Sequence, residues 1–138
     1  MIFDLSKTKS IANTFIAEMR DENIQKDPMR FRKNLERLGE FFAYEISKTL
    51  NYVSKEVTTP LGLSQCDVLG QQPVLATILR AGLPMQQGVL NVFDQDDCCF
   101  ISAYRKVNKQ GDVCIQMDYG STHDLDVKVV IMEGQSVE

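Results

Sequence analysis

Histidine is almost missing from this chain: His123 stands alone in 138 residues. The four cysteines, Cys66, Cys98, Cys99 and Cys114, match no zinc-ligand spacing, so no protein-held metal site is expected. Cys98 and Cys99 on one strand would point to opposite faces, and a bond between them would be strained. Four reduced thiols in a cytoplasmic protein are the expectation. No apolar run approaches the roughly 18 residues of a membrane helix. The start, MIFDLSK, has no basic segment followed by a long apolar one, so neither a membrane span nor a signal peptide is expected. Positive charge is not in excess: 15 Lys and Arg against 19 Asp and Glu leave a net charge of −4. That argues against a broad nucleic-acid surface while leaving room for local basic sites. The glycine patterns of a Rossmann loop and of a Walker loop are absent. So are repeats, linkers and low-complexity segments.

What is present is the composition of a folded domain, 43% apolar and 25% charged, at a length that suits one hydrophobic core. Ser10 is placed to cap a first helix in which Ile11, Phe15 and Met19 share a face. Asp27-Pro28 is a stronger start, a side-chain acceptor followed by proline at the first helical position. The stripe Phe31, Leu35, Leu38, Phe42 and Ile46 follows it. Arg30, Arg32 and Lys33 near that start oppose the helix dipole and read as a solvated face or else as a contact surface. Val53–Thr58 and Leu63–Leu69 form a hairpin across Thr59-Pro60-Leu61-Gly62, which suits a type I turn. Pro73–Leu79 and Cys98–Tyr104 read as strands buried on both faces, with a helix over Leu83–Phe93 between them. Residues 105–112 read as a polar connection. Val113–Tyr119 alternates as a half-exposed strand, Gly120–Asp126 is a loop, and Val127–Met132 is a further buried strand. This order predicts an α/β fold with a mostly parallel sheet, two helices in front of it, and β-hairpins.

The chemistry concentrates where the first buried strand ends. In an open parallel sheet, ligands sit beyond the carboxyl ends of the strands. Arg80-Ala81-Gly82 lies at such an end, where small side chains let backbone amides approach an anion and Arg80 adds a fork matched to phosphate oxygens. Tyr104-Arg105-Lys106 ends the next strand in the same way. Two arginines on one crevice suggest a doubly charged oxyanion such as pyrophosphate. Arginine after a strand is also common without any ligand, and the residues alone leave both readings open.

The stretches ILRAGLPMQQGVLN, FISAYRK and RFRKNLERLGEFFAYEIS, in this spacing and order, resemble the uracil phosphoribosyltransferases, a type I phosphoribosyltransferase family. The similarity runs from about residue 5 to about residue 131. The resemblance implies a single phosphoribosyltransferase-like domain over 1–138. It implies pyrimidine salvage chemistry, making UMP and pyrophosphate from uracil and phosphoribosyl pyrophosphate (PRPP), with Mg2+ bound mainly through the diphosphate. Arg80 and the backbone of Ala81 and Gly82 would hold the pyrophosphate. Arg105, at the base of a hairpin over residues 105–119, would close over it. No residue is assigned as catalytic. The implied partners are PRPP, uracil and further copies of the chain, with neither nucleic acid nor membrane, in the cytoplasm.

After the strand ending Val-Val-Ile the family carries an acid and then Pro-Met-Leu-Ala-Thr-Gly, which cradles the 5′-phosphate. This chain reads Met132-Glu133-Gly134-Gln135-Ser136-Val137-Glu138. Glu133 is the candidate ribose-binding acid, or else part of a charged solvated tail. The phosphate loop and the uracil-binding segment are absent, so the domain is expected to be incomplete and inactive alone. Val127–Met132 is then expected to be an exposed edge guarded by Lys128, favouring self-association. Two alternatives stand beside this reading: a non-catalytic phosphate- or pyrophosphate-binding regulatory relative, and a structural or interaction protein.

Overall fold

The computed structural model describes residues 2–107, 113–121 and 130–133, with side chains described for 2–103 and 131. The elements are α1 (Ala12–Arg20), α2 (Pro28–Ser47), β1 (Tyr52–Thr59), β2 (Gly62–Leu69), β3 (Val74–Leu79), α3 (Leu83–Leu90), β4 (Asp97–Val107), β5 (Val113–Ser121) and β6 (Val130–Glu133). They form the expected α/β fold. One sheet has the order β5-β4-β3-β6, and β1 with β2 makes a separate ribbon. β3 runs parallel to both β4 and β6, and β5 is antiparallel to β4.

The start of α2 is the one its sequence predicts. Asp27 Oδ1 accepts the backbone N–H of Met29 and of Arg30, each at 3.1 Å, and Pro28 follows at a position whose N–H would be unpaired anyway. From there α2 buries two faces. Leu38 packs with Leu5 and Ala12 beneath α1. Ala43, and Ile46 beside it, pack with Leu75, Val89, Phe93 and Ile131 of the sheet and α3. Full burial of a side chain such as Leu75 is worth about 1.5–3 kcal/mol, so this second cluster ties α2 to the sheet.

The start of α1 departs from expectation. Ile11 rather than Ser10 holds the cap position, its backbone is helical, and no side chain caps it. The Ser10 carbonyl only accepts the Asn13 N–H at 3.1 Å. Moving the start by one residue turns the helix by about 100°, so Ile11 is exposed while Ala12, Ile16 and Met19 face the core.

Other boundaries also shift. α3 ends at Leu90 rather than Phe93. The chain then turns on itself through Phe93 N–H to Val89 O (2.9 Å), so Phe93 stays buried. β4 continues through Arg105 to Val107, because pairing with β5 bonds a backbone whose polar side chains read as a loop. β5 likewise takes in Gly120 and Ser121. The strand expected over Val127–Met132 is seen as Val130–Glu133; residues 127–129 lie outside the described residues, as do 108–112, 122–129 and 134–138. Among the described residues β6 pairs with β3 alone, and no helix is long and apolar enough to cross a membrane.

Candidate anion-binding site at the strand ends

β3 is the most buried strand described: Val74, Leu75, Ala76 and Thr77 are all at most 2% exposed. Burial falls toward Leu79, and Arg80 is exposed. The Leu79–Arg80 peptide bond is cis. Three backbone bonds then fold the chain directly into α3: Gly82 N–H to Ile78 O (3.3 Å), Leu83 N–H to Arg80 O (3.2 Å) and Gln86 N–H to Gly82 O (2.9 Å). Gly82 is buried within this turn, while Ala81 and the Arg80 side chain face outward. Among the described residues nothing forms an ion pair or hydrogen bond with the Arg80 guanidinium.

The direction of α3 fixes where this turn points, and α2 fixes α3. The two helices cross at glycines. A Cβ at Gly88 would land on the Glu36 carbonyl oxygen, and one at Gly39 would meet the Met85 carbonyl and lie 3.2 Å from the Gly88 Cα. Asn91 fastens the far end, its amide donating to Glu40 Oε1 (2.7 Å) and Glu36 Oε1 (3.3 Å). Neither glycine carries a signal that hydrophobic periodicity can read.

Because β3, β4 and β6 are parallel, their carboxyl ends lie on one edge of the sheet. Arg80 follows β3 there. Arg105 lies in β4, three residues beyond Ser102, the partner of Leu79, and opposite Ile115 of β5. The pairing of β4 with β5 shifts register between Ser102 and Ala103. Such irregularities increase local twist and re-aim the strand beyond them. Glu133 is the last described residue of β6 and pairs with Thr77, so its backbone belongs to the sheet rather than to a tail. The topology thus brings Arg80, Ala81, Gly82, Arg105 and Glu133 to the same end of the sheet.

The other reactive groups do not converge there. Cys66, Cys98 and Cys99 are free thiols; Cys99 is buried in the core and burial pushes the Cys98 thiol above its ordinary range, which leaves it a poor nucleophile. Cys114 and His123 lie outside the described side chains.

The family model of uracil phosphoribosyltransferase matches residues 6–133. Uracil phosphoribosyltransferases from two strains of Porphyromonas gingivalis are 47% identical over 131 residues, covering 95% of this chain and 61% of theirs. That of Methanothermobacter thermautotrophicus is 33% identical over 108 residues, covering 77% of this chain and 49% of its own. Among solved structures, the AQ2163 protein from Aquifex aeolicus superposes with a TM-score of 0.78 at 25% identity, over 96% of this chain and 61% of that one. The chain therefore spans about 61% or less of the length of these relatives. The comparisons favour neither the regulatory relative nor the interaction protein. A family match over residues 6–133 shows that the chain belongs to the uracil phosphoribosyltransferase family.

Proposed function

We propose that this chain carries the pyrophosphate-holding part of a site that transfers a phosphoribosyl group from PRPP to uracil, giving UMP and pyrophosphate. The observation that carries the reading is the turn at Arg80-Ala81-Gly82. It ends a buried parallel strand with an exposed guanidinium that has no partner among the described residues, beside the exposed Ala81, inside the stretch that matches the family.

In such a transfer the bond from the anomeric carbon to the diphosphate breaks, positive charge grows on the ribose ring, and negative charge grows on the leaving diphosphate. Arg80 and the exposed backbone at Ala81 would take up that negative charge as it forms, which is where fixed donors lower a barrier most; the Gly82 N–H is already bonded to Ile78 O. Each charge-assisted contact would contribute on the order of 1.5–3 kcal/mol. Arg105 would approach the same oxygens from the β4–β5 hairpin, and Glu133 would accept from ribose hydroxyls at the end of β6. Among the described residues no group of three or more His, Cys, Asp or Glu could hold a metal. Diphosphate oxygens are the harder donor set for Mg2+, which would arrive with the substrate and offset part of its charge. A cytoplasmic salvage enzyme acting as an oligomer fits this reading.

Titration calorimetry with pyrophosphate and magnesium tests the assignment. Wild type is expected to bind with a dissociation constant on the order of a millimolar. Arg80→Ala removes most of that binding. Arg105→Ala removes less, because beyond Ser102 the only described neighbour of β4 is β5. Equal binding by wild type and both variants would refute the site.

A further inference from the structure

Beside the Arg80 turn a second feature has no part in the site just described. Met29, Arg32, Lys33 and Glu36 of α2 face Leu83, Pro84 and Gln87 of α3 across an open cleft of about 400 Å³. The cleft adjoins the turn directly, since its Leu83 donates to the Arg80 carbonyl at 3.2 Å. The cations of this half of α2 are not equivalent. Arg30 lies 3.4 Å from Glu18 and 4.0 Å from Asp27. Lys33 lies 2.8 Å from Glu36, and this bond holds the Glu36 carboxyl below its ordinary range, so that pair is neutral as a unit. Arg37 donates to Asn34 at 2.9 Å and stacks over the Phe15 ring. Arg32 has no ion pair or hydrogen bond with any described residue, yet it stands in the second turn of a helix, where a cation opposes the dipole.

We infer that the α2–α3 cleft is an outer electrostatic station, in which Arg32 draws the polyanionic diphosphate toward the Arg80 turn. The inference rests on the pyrophosphate reading above and deepens it. The chain as a whole carries a net charge of −4 and repels a polyanion at long range, so an uncompensated cation at the mouth of the site has a large relative effect. Arg32 is a positioning residue, acting on the approaching anion through space.

Pyrophosphate with magnesium is titrated into the chain at low and high ionic strength. Charge at a rim acts through a screened field, so its removal matters at low salt and fades as the Debye length shrinks from about 30 Å at 0.01 M to about 3 Å at 1 M. Arg32→Glu is expected to weaken binding about fivefold at 0.02 M salt, and Arg32→Gln about twofold, with both converging on wild type by about 0.5 M. Lys55→Glu changes the net charge equally on the remote β1–β2 ribbon and is expected to leave binding within about 1.5-fold at either salt. Binding by Arg32→Glu that equals wild type at low salt would overturn the inference while leaving the Arg80 site standing. So would equal weakening by Lys55→Glu, or a loss in both Arg32 variants that persists at high salt. If wild type binds no pyrophosphate, the inference falls together with the reading beneath it.

Discussion

Asp96, in the turn from α3 to β4, has both carboxylate oxygens buried with no hydrogen-bond partner among the described residues. Burial, then the nearby charges of Asp97 and Asp94, raises its pKa from 3.8 to about 7. Asn34, also buried, is the opposite case: its amide donates to Glu18 at 2.8 Å and its carbonyl accepts from Arg37 at 2.9 Å, so it ties α1 to α2 without orphaning an atom. The Asp96 shift has a definite sign. The folded state holds a proton that the unfolded chain has released, so the stability linked to Asp96 is fully present below about pH 3.8, falls as pH rises, and is flat above about pH 7. Asp96→Asn removes that slope. In urea titrations the variant is expected to match wild type near pH 4 and to exceed it by on the order of 2 kcal/mol at pH 8. A difference between the two proteins that does not change with pH would show that Asp96 is solvated in the folded state.

At the scale of elements, the α2–α3 crossing makes the sharpest demand. Replacing glycine by alanine inside a helix normally stabilises by about 1 kcal/mol. At Gly88 the added methyl meets the Glu36 backbone carbonyl, and a backbone cannot turn aside as a side chain does. Gly88→Ala is therefore expected to destabilise by about 3 kcal/mol, against the sign of propensity, with a lowered urea midpoint. A variant as stable as wild type would mean that the helices separate at no cost. Removing the α2 cap with Asp27→Ala should lower stability by about 1 kcal/mol, readable in the same titration. These two changes mark what a sequence shows at this scale. Asp27-Pro28 was legible because a cap depends on adjacent residues. Gly39 and Gly88 were not, because each meets the backbone of the facing helix, at Met85 and at Glu36, far away in the sequence. Ser10 misled for the related reason that any serine before an apolar run resembles a cap, while the packing of Ala12 under Leu5 and Leu38 decides where the helix begins.

Across the whole molecule the same division holds. The strand end bearing Arg80 could be read locally, from an apolar run stopping at a cation; the expected end at Arg105 could not, since β4 runs on past it to Val107 while paired with β5. That Arg32 lies across a cleft from Leu83 could not, since it depends on how α2 packs on α3. Nor could the split into a four-stranded sheet and a separate two-stranded ribbon, because hairpin signals do not say whether a hairpin joins a larger sheet. That split has an energetic consequence. β1 and β2 pair from Tyr52↔Leu69 to Thr59↔Gly62, yet a two-stranded ribbon is at best marginally stable by itself. Its base is held: Leu69 packs against the core cluster, Tyr52 donates its hydroxyl to Ser47 O at 3.1 Å, and Gly70 N–H bonds Asn51 O at 2.9 Å. Its tip is not, for Leu61 is fully exposed and Leu63 68% exposed. Local opening should follow that gradient. Native-state hydrogen exchange is expected to show ribbon amides near Thr58 and Leu63 exchanging at least about a hundredfold faster than those of β3, with intermediate rates near Val53 and Val68. Protection at the tip equal to that of β3 would mean that another surface covers Leu61 and Leu63 in solution. The ribbon would then have to be treated as part of an interface rather than as an arm standing on its base.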